Sequence, residues 1–77
     1  MDELEKLKQI IAEEMDISPE EINEGQSLRD DLEMDKISIL QVMMALEVDF
    51  GIELEPEDIE QIRTVGDALS YIRDEYE

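Results

Sequence analysis

The stretch Asp31-Leu32-Glu33-Met34-Asp35-Lys36-Ile37-Ser38-Ile39-Leu40-Gln41-Val42-Met43-Met44-Ala45-Leu46-Glu47-Val48-Asp49-Phe50-Gly51-Ile52 decides the fold. It reads as a helix with both ends marked. Asp35 suits an N-cap, where a short carboxylate accepts from the first unpaired N–H groups. Gly51 suits the position just past the end, because it takes the left-handed conformation without a Cβ penalty. Between these caps, at about 100° per residue, Ile39, Val42, Met43, Leu46 and Phe50 gather on one side as a core face. Ile37, Leu40, Met44 and Val48 gather on another. Gln41, Ala45, Ser38 and Asp49 fill one flank between the two rows, and Lys36 and Glu47 fill the other. A helix in a small bundle needs one apolar face. The second row either packs beneath a neighbouring loop or short helix, or stands exposed for a partner; Met44 suits an adaptable binding surface.

Around this helix the chain supplies three more helical segments and no useful strand alternation. From about Asp2 to Met15, Leu4, Leu7, Ile10, Ile11 and Met15 form one stripe at helical spacing. Ser18-Pro19-Glu20-Glu21 has a cap, a first-position Pro and a Glu three residues after the Ser, which predicts a single helical turn. Residues Asn23 to Met34 form a long loop, with Leu28 and Leu32 pinning it to the core. A short helix follows over Glu55–Ile62, opened by Pro56. Thr64-Val65-Gly66-Asp67 caps the last helix, whose apolar face carries Ala68, Leu69 and Ile72. The expected fold is all-α, a four-helix bundle of three longer helices and one short one, in a single domain over residues 1–77.

Composition narrows the chemistry. The hydrophobic share of 42% is enough for one core and too high for a disordered tail. With no Cys and no His, the chain lacks a thiolate nucleophile, the usual general base and the commonest metal ligands. Acidic pairs are everywhere, so no single pair stands out as an acid/base couple, and the protein is not expected to be an enzyme. Asp30, Asp31, Glu33 and Asp35 offer weak Mg²⁺ or Ca²⁺ binding but lack the spacing of a calcium loop, so no specific metal site is predicted. The net charge of −18 repels nucleic acid and anionic membranes and attracts basic protein surfaces. No segment approaches the ~20 apolar residues of a membrane span. The acidic start Met1-Asp2-Glu3-Leu4-Glu5 is unlike a signal peptide. A cytoplasmic monomer is the expectation.

Residues 31–52 and 62–69, with the Thr64-Val65-Gly66-Asp67 signature, resemble the acyl carrier protein family, and the likeness extends over nearly the whole chain. The first Met and the end soon after the last helical pattern suit a free-standing member rather than a megasynthase module. In that family the second helix opens with Asp-Ser-Leu or Asp-Ser-Ile, and the serine carries a 4′-phosphopantetheine arm for acyl groups of fatty acid or related biosynthesis. The resemblance implies that Asp35, Ile37, Leu40, Gln41, Met44, Glu47 and Val48 lie on the surface offered to acyl-transferring or synthase enzymes. Positions 41 and 48 are commonly acidic in the family. Gln41 and Val48 make this face greasier.

The matching triplet here is Asp35-Lys36-Ile37. Lys36 stands where the family has its attachment serine. It offers an amine that is cationic at neutral pH, and it sits in a first turn whose dipole disfavours cations. An ion pair with Asp35 or Glu47 is its structural explanation. Ser38 is rotated by about 200° from position 36, and Ser27 lies well before the helix, so neither is expected to take the arm. Three readings follow: a carrier with an engineered Ser-to-Lys change, a carrier-like interaction module without acyl cargo, and direct acylation of Lys36, the least favoured. The first two predict a chain with no arm.

Overall fold

Caps and apolar stripes produce four helices in the computed structural model, which describes residues 2–76. They are α1 (Glu3–Met15), α2 (Lys36–Phe50), α3 (Pro56–Gln61) and α4 (Val65–Tyr76), with a 3₁₀ turn at Pro19–Glu21 between α1 and α2. The all-α arrangement of three longer helices and one short one follows the expectation.

α1 begins where Asp2 Oδ1 accepts from Glu5 N at 2.8 Å. It ends at Asp16, which takes the left-handed conformation at φ 57°. Its Leu7, Ile10, Ile11 and Ala12 are buried, with Leu4 and Met15 packed at the edge. That stripe lies against α2, α4 and the 3₁₀ turn. From α2 the core receives Ile39, Val42, Met43, Leu46 and Phe50, and from α4 Val65, Ala68, Leu69 and Ile72. Burying an aliphatic side chain of this kind contributes about 1.5–3 kcal/mol, so these three stripes supply most of the apolar gain. Lys6 Nζ lies 5.6 Å from the centre of the Phe50 ring, and Arg73 Nε reaches Glu3 Oε1 at 3.7 Å.

The 23–34 loop is held from both sides. Leu28, Leu32 and Met34 are buried. The loop backbone also pairs with the α3–α4 link: Leu28 N donates to Arg63 O at 2.9 Å, Val65 N to Gln26 O at 3.1 Å and Gly66 N to Glu24 O at 2.9 Å. The pairing amounts to one isolated antiparallel bridge, Ser27 with Thr64. Gly66 permits it, since a Cβ there would sit 3.1 Å from Glu24 O. The α4 box forms as its sequence suggests: Asp67 N donates to Thr64 Oγ1 at 3.0 Å, and Asp67 Oδ2 accepts from Thr64 N at 3.2 Å.

α3 is the least anchored helix and has no buried residue. Asp58 Oδ2 accepts from Glu55 N at 3.0 Å, closing its first turn. The same oxygen accepts from the Tyr71 hydroxyl of α4 at 2.8 Å, which ties α3 to the body.

Candidate docking face and attachment position

The loop-to-helix junction sets the geometry of the site. Met34 is buried and its N–H donates to Leu28 O at 2.9 Å, so the chain enters α2 from a fixed point. Asp35 Oδ1 then accepts from Ser38 N at 2.8 Å, the N-cap expected from sequence. The Ser38 backbone N–H, helped by its hydroxyl, holds the exposed Asp35 carboxyl below the ordinary carboxylate value. At the other end Gly51 takes φ +66° and donates its N–H to Glu47 O. α2 thus keeps a defined start, length and rotation.

That rotation leaves the second apolar row outside. Ile37 is 66% exposed, Leu40 39%, Met44 62% and Val48 81%. These four are the exposed large hydrophobic residues of the described chain. The core row on the same helix stays below 9%. A continuous apolar line left in water differs from the singly scattered apolar residues of an ordinary surface.

The polar residues assigned to this face by resemblance divide. Asp35 and Lys36 lie at the head of the row, both exposed. Gln41 turns toward α1: with its amide oriented to satisfy both groups, its nitrogen donates to the Glu14 carboxylate oxygens at 3.0 and 3.3 Å. Glu47 turns toward the chain after α2, where its Oε2 accepts from Leu54 N at 2.9 Å. Sequence reading gave no sign of that bond, which depends on where the chain returns beyond Gly51. The ion pair expected of Lys36 with Asp35 or Glu47 does not form. The one ion pair among the described residues is Arg73–Glu3. Asp35 Oδ1 instead accepts from Ser38 N and Glu47 Oε2 from Leu54 N, which aims one oxygen of each carboxylate at the backbone.

The residues at the head of α2 do not fit covalent attachment of a phosphopantetheine arm. Position 36 presents an amine in place of a hydroxyl. Ser38 is half-buried on the far flank, engaged with Asp35. Ser27 Oγ accepts from Asp30 N at 3.0 Å within the loop. Among the described residues no three carboxylates stand close enough together to hold a metal ion. None of the described helices is long and apolar enough to cross a membrane.

Residues 5–72 match the family described as "Phosphopantetheine attachment site". The chain is 40% identical to the acyl carrier protein of Zymomonas mobilis subsp. mobilis over 71 residues, covering 92% of this chain and 91% of that one. It is 38% identical to the acyl carrier protein of Chlamydia muridarum over 68 residues, 88% of each. Among solved structures, the acyl carrier protein of Enterococcus faecalis superposes with a TM-score of 0.79 at 38% identity, covering 94% of this chain and 91% of that chain. That of Thermotoga maritima gives a TM-score of 0.78 at 27% identity, covering 91% and 81%.

Proposed function

Because the chain belongs to the acyl carrier protein family, whose members are carriers rather than enzymes and bear 4′-phosphopantetheine, we propose that it docks on the enzymes of fatty acid or related acyl-chain biosynthesis through α2 and itself bears no arm. It acts as a single 1–77 carrier domain, monomeric and cytoplasmic. Basic surfaces of acyl-transferring or synthase enzymes are its partners. The observation that carries this is the exposed line Ile37, Leu40, Met44 and Val48, set beside the attachment position in a strongly acidic chain. Charge speeds encounter with a basic surface, and the apolar line slows release. Asp35 and Lys36 mark the head of the face, with Gln41 and Glu47 on its flanks.

The lack of an arm rests on chemistry. Transfer of phosphopantetheine from coenzyme A needs a hydroxyl oxygen as nucleophile, and Lys36 supplies an ammonium group. We read Lys36 as an engineered Ser-to-Lys replacement in an otherwise competent carrier. A second reading, an interaction module with no acyl cargo, draws on Gln41 and Val48, which depart from the family's acidic pattern on the same helix.

Intact mass after incubation with coenzyme A and a broad-specificity phosphopantetheinyl transferase tests both. The parent chain is expected to gain nothing and Lys36→Ser to gain one arm. A gain on the parent overturns the proposal, and a Lys36→Ser chain that folds but does not load decides for the interaction module. Met44→Glu is expected to weaken binding to a carrier-dependent synthase by at least tenfold with the fold kept; unchanged binding removes the row from the interface.

A further inference from the structure

The chain has five methionines and no cysteine. Methionine sulfur is therefore the group most open to two-electron oxidation, with no thiolate to intercept the oxidant first. The fold sorts these thioethers. Met34 and Met43 lie inside the core at 3% and 1% exposure, and Met15 packs against it partly buried. Met44 is 62% exposed. It is the one exposed methionine among the described residues.

Position turns that exposure into a consequence. Met43 and Met44 are neighbours in sequence, yet about 100° of helix rotation puts one in the core and the other in water. Met44 holds the middle of the outer row, four residues from both Leu40 and Val48, the spacing that makes side chains neighbours on a helix. A sulfoxide there replaces an apolar thioether with a polar group. In water that group is solvated, so the free fold is indifferent to it. Pressed against an apolar partner surface, its oxygen would lose water without gaining a donor, and docking would bear the cost. The same change at Met43 would place the polar group inside the core and act on stability instead.

We propose that Met44 is a reversible oxidation site whose sulfoxide switches off the outer row as a docking surface; the inference rests on the docking role proposed above. The oxidant is hydrogen peroxide, an uncharged molecule that a chain of net −18 does not repel as it repels anionic oxidants. The Met44 sulfur lone pair attacks one peroxide oxygen, forming the S–O bond as the O–O bond breaks. The departing hydroxide takes the proton from the transferred oxygen, leaving sulfoxide and water. Sulfur gives up two electrons and the peroxide gains them. Methionine sulfoxide reductases reverse the change. With a dithiol as reductant, the sulfoxide oxygen leaves as water and the dithiol becomes a disulfide.

Graded hydrogen peroxide treatment of the full chain, followed by peptide mass mapping, reads oxidation at each methionine. Met44 should gain one oxygen at least tenfold faster than Met15, Met34 and Met43. The chain oxidised at Met44 alone should melt with the parent. Its binding to a carrier-dependent β-ketoacyl synthase should be at least fivefold weaker than the parent's. Binding should return after treatment with methionine sulfoxide reductases for both epimers and dithiothreitol. Met44→Leu has an apolar side chain of similar volume and no sulfur. Its binding, compared with its own value before peroxide, should not move. Met1, which lies outside the described residues, is still present in that variant, so a loss caused by Met1 would show there. Oxidation at equal rates across the four described methionines, binding unchanged by the Met44 sulfoxide, or an equal loss in Met44→Leu would overturn this proposal and leave the docking role standing. A parent chain that fails to bind the synthase before any peroxide would overturn the docking role and this proposal with it.

Discussion

The two rows of α2 use the same kinds of residue to opposite ends. Ile39, Val42, Met43, Leu46 and Phe50 are buried, whereas Ile37, Leu40, Met44 and Val48 are exposed. Apolar character nearly cancels around this helix, unlike α1 and α4, which each have one apolar face. Hydrophobicity alone therefore does not say which row is core. What decides is how much cover the rest of the chain can provide. α1, α4 and the pinned loop close over one side of α2. The remaining short helix, with no buried residue of its own, leaves the other side open. A row stays in water when a small domain runs out of structure to bury it.

Cutting into each row gives the largest contrast. Leu46→Ala removes a side chain that is 1% exposed and should cost about 2–5 kcal/mol. That is a large part of the stability of so small a domain. Met44→Ala, on a residue 62% exposed, should change stability by no more than about 0.5 kcal/mol. Urea unfolding of both variants measures the difference. Similar losses in the two would show that Met44 is covered in solution, and the distinction between the rows would fail.

Glu47 sharpens the comparison, because it borders the exposed row yet belongs to the fold. Its Oε2 accepts from Leu54 N at 2.9 Å in a partly buried site. Glu47→Ala should cost about 1–2 kcal/mol, toward the low end for a charged acceptor because the site is partly open to water. Glu47→Gln keeps an acceptor and should cost less. Thermal melts of the pair check this, at about 4–8 °C per kcal/mol for a domain of this size. If Glu47→Ala melts like the parent, the bond to Leu54 is incidental and Glu47 is available to a partner.

Much of this was legible from local patterns. The caps at Asp35, Gly51 and Thr64, the stripes of α1 and α4, and the two rows of α2 all follow from spacing within one element. Leu28 and Leu32 gave away the pinned loop because apolar residues in a polar run need somewhere to go. What spacing did not give were bonds between elements: Glu47 to Leu54, Gln41 to Glu14, Tyr71 to Asp58 and the pairing of Ser27 with Thr64. Each depends on how rigid pieces are placed relative to one another, which leaves no periodic trace. Lys36 also shows the limit of reading charge by proximity in sequence. Its nearest acids were its expected partners, but they hydrogen-bond the backbone of Ser38 and Leu54, and no ion pair to Lys36 forms among the described residues.

The smallest effect, invisible at neutral pH, concerns the short helix that fails to cover the outer row. Tyr71 holds α3 through Asp58 Oδ2 at 2.8 Å. That hydrogen bond, with partial burial and the charge of Asp58, pushes the phenol up from 10.0 to about 12. The folded state thus binds this proton more tightly than the unfolded chain does. The stabilisation is complete below about pH 10 and is lost as pH rises through about 12. Stability should therefore decline over that window in the parent, and Tyr71→Phe should lack this part of the decline. Absorbance titration in a Tyr76→Phe background isolates the Tyr71 ionisation, and amide exchange along Pro56–Gln61 reports release of α3. Leu40 and Ile59 share the wall of one cleft, so loosening α3 should expose Leu40, the least exposed member of the row, and leave Met44 and Val48 as they are. An ordinary phenol titration near 10 would show that no bond to Asp58 holds α3. The difference between Leu40 and the rest of its row would then need another cause.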